Sequence, residues 1–69
     1  MTSFKITIAS NDNGILDSII EFLYYKKILK NYEKFYKLDY PCVMILSRIN
    51  KKKLYKILNK KYKNSFILE

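Results

Sequence analysis

The run FKITIASNDNGILD, Phe4 to Asp17, decides how this chain is read. Phe4, Ile6 and Ile8 alternate with Lys5, Thr7 and Ala9, the period-two pattern of a strand with one buried face. Asn11-Asp12-Asn13-Gly14 breaks that pattern with turn residues. From Ile15 the period becomes helical: Ile15, Leu16, Ile19, Ile20 and Leu23 fall on one face. Asp12 or Asn13 is placed to cap the first turn, and Asp17 complements the positive helix end. The stretch predicts a strand over Phe4–Ser10, a tight turn, and a helix that packs back on the strand.

Downstream, the helix is expected to run from Asn13 to about Lys30, with Lys26, Lys27 and Lys30 suiting its negative end. Tyr32–Leu38, YEKFYKL, alternates aromatic and charged residues and reads as a second strand. Asp39-Tyr40-Pro41 is a turn signal. Cys42–Leu46, CVMIL, is a short apolar run of the kind found in a central strand. Pro41 belongs to the turn or the first strand residue, where its missing N–H does no harm. Asn50 is a good N-cap for a second helix from Lys51 to about Lys63, with Leu54, Ile57, Leu58 and Tyr62 as its apolar stripe. Phe66-Ile67-Leu68 ends the chain as a short strand. This order predicts one ferredoxin-like domain, βαββαβ, over residues 1–69. Two crossovers place both helices on one face of a four-stranded antiparallel sheet. The first and third strands are expected in its centre, and the other face is left open to a partner.

Charge narrows the function. The formal net charge is +8 over 69 residues. Residues 1–39 hold six Lys against five acids, whereas residues 40–68 hold Arg48 and seven Lys against no acid. A solvated lysine surface in an AT-biased gene would account for the number of lysines, but so local an asymmetry points to a polyanion, of which nucleic acid is the commonest. Lys51-Lys52-Lys53 sits in the first turn of the second helix, where the macrodipole disfavours each ammonium by about 0.3–1 kcal/mol before screening. A phosphate there would reverse that cost and use the free N–H groups. Arg48 stands just before it and offers a forked contact. Lys56, Lys60 and Lys63 extend the basic stripe at helical spacing. The expected RNA contacts are Arg48, Lys51, Lys52, Lys53, Lys56 and Lys60. Seven tyrosines interleave with the lysines. Any of them could stack on an unpaired base, although an amphipathic core or rim role is the commoner use. The Gly-containing aromatic signature of an RNA-recognition motif is missing.

Catalysis has little to work with. There is no His, and Cys42 is the only cysteine, so no internal disulfide forms and no metal or cofactor is expected. Asp17 and Glu21 share a helix face but read as a solvated pair, and Cys42 reads as a small core residue. No signal peptide and no apolar run near the length of a membrane span is evident. A domain this small buries only about 60% of its unfolded surface, which leaves room for a partner to supply part of its stability. Gly, Ala, Pro and Arg each occur once while Lys, Ile, Asn, Tyr and Leu abound, the imprint of an AT-rich genome such as an organelle's.

Two families share this frame. Lys5-Ile6-Thr7-Ile8-Ala9-Ser10-Asn11-Asp12-Asn13-Gly14-Ile15-Leu16-Asp17 is similar to the opening of small-subunit ribosomal protein ten, the universal protein of the ribosomal head. Asp12, Ile15, Leu16 and Asp17 match in spacing, and Asn11 replaces the family's aromatic. Ile49-Asn50-Lys51-Lys52 resembles the V-N-K-K that follows the family's long hairpin loop. The family's R-S-P-H is absent, with Leu46-Ser47-Arg48 nearest to it, and the long loop is reduced to Asp39-Tyr40-Pro41. An alignment on Ile49–Lys52 would place the next segment in a third strand, whereas the periodicity makes it a helix. The resemblance implies a non-enzymatic component of the small ribosomal subunit in mitochondrial translation, bound to ribosomal RNA and neighbouring ribosomal proteins. The alternative is the ACT domain, a small-molecule-sensing module. Its Asp-x-x-Gly-[Ile/Leu]-Leu entry resembles Asp12-Asn13-Gly14-Ile15-Leu16, which has one residue fewer between Asp and Gly, and it would bind its ligand near those residues.

Overall fold

The computed structural model describes residues 3–69. Its elements are β1 (Phe4–Ala9), α1 (Asn13–Tyr25), β2 (Leu29–Lys37), β3 (Tyr40–Ser47), α2 (Lys51–Tyr62) and β4 (Ile67–Leu68). The strands form one antiparallel sheet in the order β2-β3-β1-β4, the ferredoxin-like arrangement. β1 and β3 are central, as their apolar character predicts. Ile6 faces Ile45 and Ile8 faces Val43 across the ladder, and all four are buried. The helices close over that face. Leu16, Ile19, Leu23, Leu54 and Leu58 are fully buried there, while Ile57 is only partly covered.

Local chemistry explains where each element begins. Asp12 is the N-cap of α1: its Oδ1 accepts from Gly14 N at 2.8 Å and Ile15 N at 3.4 Å. A Cβ on Gly14 would lie 3.1 Å from that oxygen, so glycine leaves the cap its room. Asn50 caps α2 through Lys53 N, at 2.9 Å. Residues 51–62 are helical, so the periodicity decides this segment and Ile49-Asn50-Lys51-Lys52 forms the entry of α2.

Three boundaries differ from expectation by more than a single residue. First, α1 stops at Tyr25. Lys27 N donates to Tyr24 O and Ile28 N to Leu23 O, both at 3.0 Å, and Lys27 takes φ 61°. This is a Schellman ending, with Ile28 packed into the same core as Leu23. Lys26 and Lys27 therefore follow the last turn, and Lys30 lies in β2. Second, β2 starts at Leu29, three residues early, with a register shift between Leu29 and Asn31. Third, the hairpin turn is Leu38-Asp39, closed by Lys37 and Tyr40, and Pro41 is inside β3 opposite Tyr36. Ser10 N donates to Pro41 O at 3.3 Å, and a proline cannot return the bond. The missing donor thus falls where the β1 ladder ends.

The sheet face away from the helices carries a row Phe35–Cys42–Ala9–Ile67 across all four strands. The outer two are larger and exposed; Cys42 and Ala9 between them are 1% and 7% exposed. Cys42 is thereby a small buried residue, as expected.

Candidate nucleic-acid interface

Chain direction brings the basic residues to one end of the domain. α1 ends, β3 ends and α2 begins at the same pole, and Arg48 N donates to Ile28 O at 2.9 Å, tying the two loops together. Arg48 shares a concave patch of about 720 Å³ with Tyr24, Tyr25, Lys27 and Leu29. By sequence Lys27 belongs to a helix end. Its neighbour across the fold is Arg48, a relation that no local spacing shows.

On α2, Lys51, Lys52 and Lys53 are all exposed and fan around the helix at roughly 100° steps. Lys53 N–H is taken by the Asn50 cap, and Leu54 N donates to Asn50 O at 2.9 Å. The N–H groups of Lys51 and Lys52 have no intrahelical acceptor and face outward. Lys52, Lys56 and Lys60 repeat at i, i+4 and i+8, forming one exposed ridge on the side away from Leu54 and Leu58. Lys61 departs from it. Its Nζ lies 4.6 Å from the Phe22 ring centroid on α1, a cation–π contact beside the edge-on Phe22–Tyr62 pair. Ser18 Oγ and Tyr62 Oη, 2.8 Å apart, complete this helix–helix seam.

The acids lie elsewhere. Lys34 Nζ binds Asp17 Oδ1 at 2.7 Å, and Lys37 Nζ approaches Glu69 Oε1 at 3.4 Å. Both ion pairs use lysines of β2, while Asp12 serves the α1 cap. The hydrogen bond that Lys34 donates to the Asp17 carboxylate holds its ammonium above its ordinary pKa. Among the described residues, none of Arg48, Lys51, Lys52, Lys53, Lys56 and Lys60 is in an ion pair. Their charge remains available to an external anion.

Beside the ridge, α2 and β4 enclose a groove of about 750 Å³. Its floor is Tyr55, Phe66, Ile67 and Leu68, and its rim is Lys51, Lys52 and Lys56. In the sequence Tyr55 is one tyrosine among seven. Its position four residues after Lys51 was the available signal, but the apolar strand beside it comes from the far side of a turn. Comparison with protein-family models, curated proteins and solved structures returns no match for this chain.

Proposed function

We propose that this chain is a non-enzymatic, RNA-binding structural protein. Its lysine-rich α2 and the preceding loop would neutralise the phosphate backbone. The observation that carries this reading is the segregation of charge: among the described residues the ion pairs use the lysines of β2, while the basic residues of α2 are in none. Such contacts position a protein on RNA without reading its sequence. Together with the resemblance to small-subunit ribosomal protein ten, this supports a shortened component of the small-subunit head in a mitochondrial ribosome. Its partners would be ribosomal RNA and adjacent ribosomal proteins, the latter against the open sheet face. The ACT-like alternative would use Asp12–Leu16, but there the Asp12 carboxylate serves the helix end, and the charge asymmetry favours RNA.

The test is RNA binding as a function of salt, alongside sedimentation of the tagged protein. Six phosphate contacts give a log–log slope of about −4 to −5.5, and replacing Lys51, Lys52 and Lys53 together with Gln should flatten it by about 2–2.7. The tagged protein should travel with the small subunit, and the triple variant should be depleted from it. An unchanged slope with unchanged small-subunit association would refute the reading.

A further inference from the structure

We propose that the groove between α2 and β4 receives an unpaired RNA base, stacked on Tyr55, with the flanking phosphates on Lys51, Lys52 and Lys56. The inference deepens the RNA-binding reading and rests on it. It adds that the RNA at this point is single-stranded, and it names the side chain that holds the base.

Three properties of the groove coincide. The floor is apolar and partly aromatic: Tyr55 is 46% exposed, and its ring centroid lies 5.7 Å from that of Phe66 in a tilted pair. The rim is cationic, with Lys51, Lys52 and Lys56 on the α2 side. The third wall is an open sheet edge. Thr7 and Glu69 exchange backbone hydrogen bonds, Glu69 N to Thr7 O at 2.8 Å and Thr7 N to Glu69 O at 3.4 Å. Antiparallel alternation then turns the N–H and C=O of Leu68 away from β1, toward the groove side of the strand. The occupant that fits has a flat apolar face, a polar edge able to meet a backbone donor and acceptor, and an anion close beside it. An unpaired nucleotide within a strand has all three. A duplex hides its base faces inside the stack, so it can offer the groove only phosphate. A second copy of this chain is disfavoured by charge, since each copy carries +8 and residues 40–68 hold no acid.

Aromatic stacking of this kind tolerates any base. It accounts for a lysine helix that has a hydrophobic flank, which phosphate neutralisation alone does not require. The exposed Tyr36, on β2 at the opposite edge of the sheet from β4, lies away from the groove and serves as the internal control.

The experiment uses the full chain with fluorescein-labelled oligouridine and a blunt RNA duplex of equal length, read by anisotropy across salt concentrations. Tyr55→Leu, which keeps apolar packing against Phe66, should weaken oligouridine binding about 5- to 150-fold. It should leave duplex affinity and both salt slopes unchanged. Tyr55→Phe should bind as the parent does, and Tyr36→Leu should have no effect. In NMR spectra of the unmodified chain, oligouridine should shift the Tyr55 ring protons and the Ile67 and Leu68 methyls upfield. If Tyr55→Leu leaves oligouridine affinity intact while the Lys51–Lys53 glutamine variant still flattens the slope, the base site is wrong and the RNA reading stands. If the lysine variant has no effect on either RNA, the underlying reading fails as well. Uridine monophosphate binding as tightly as the oligomer would overturn the strand assignment. So would an acidic amphipathic peptide that shifts the groove resonances when oligouridine does not.

Discussion

Replacing Lys27 with glycine is expected to stabilise the fold by about 0.5–1 kcal/mol, although it removes a whole side chain. Lys27 sits at the position after the α1 cap with φ 61°, in the left-handed region. A residue with a Cβ pays roughly 1–2 kcal/mol there, and glycine escapes that cost. Glycine also loses more freedom on folding, which returns about 0.5–1 kcal/mol to the unfolded state. The difference sets the net gain. Nothing else of weight is lost, because the Lys27 side chain is exposed and the bonds that close the turn come from backbone N–H groups. At about 1 kcal/mol per molar for a small domain, the urea midpoint should rise by roughly 0.5–1 M. The Tm should rise by about 2–8 °C. Removing a cation beside Arg48 could mimic this gain, so Lys27→Ala is the control: it relieves the same repulsion but keeps the Cβ, and its midpoint should stay near the parent's. If the alanine variant gains as much as the glycine variant, charge relief is responsible. If glycine destabilises, the Schellman ending does not carry the conformational cost assigned to it.

Two further outcomes follow from the packing and the ion pairs. Leu58→Ala, at a fully buried position on α2, should cost about 2–5 kcal/mol in chemical denaturation. A domain of this size holds only about 3.5–10 kcal/mol in total, so the variant should lose a large share of its stability, and a loss below about 1 kcal/mol would contradict the position of α2 over the sheet. Asp17→Asn should lower the Lys34 pKa toward its ordinary value in an NMR titration of the Nζ environment. Because the folded-state pKa is raised, the pair's small contribution is present below the unfolded value of 10.5 and disappears as pH rises through the higher folded value. An unmoved Lys34 titration would mean that the 2.7 Å contact is not held in solution.

Elements with strong periodicity were legible from residues alone. Ile6 and Ile8 at period two, Leu16 to Leu23 and Leu54 to Leu58 at helical spacing, and the capping residues Asp12 and Asn50 sufficed for βαββαβ. The chain reversals were not legible. Turns are usually announced by glycine, and here the positive-φ positions hold Lys27, Leu38 and Lys63, in a chain with a single glycine. Local sequence therefore places the helix end past Lys27 and the hairpin turn at Asp39–Pro41, where the structure has Tyr25 and Leu38-Asp39. β2 was also harder to read than β3. As an edge strand with all residues after Leu29 exposed, it has little hydrophobic pattern to show.

Element order, the two helix starts and the concentration of positive charge after Tyr40 can be read from the residues alone. Each of these depends on neighbours a few residues apart, through side-chain period, capping or local composition. Which cations share a surface, and what lies beside them, depends on how the elements pack. Lys27 meets Arg48 because α1 ends where β3 ends, and Tyr55 meets Phe66 and Leu68 because β4 returns along the edge of β1. Those meetings are set by the strand order β2-β3-β1-β4, a global choice made by burying Ile8, Val43, Ile45, Leu54 and Leu58 together, and no window of local sequence contains it.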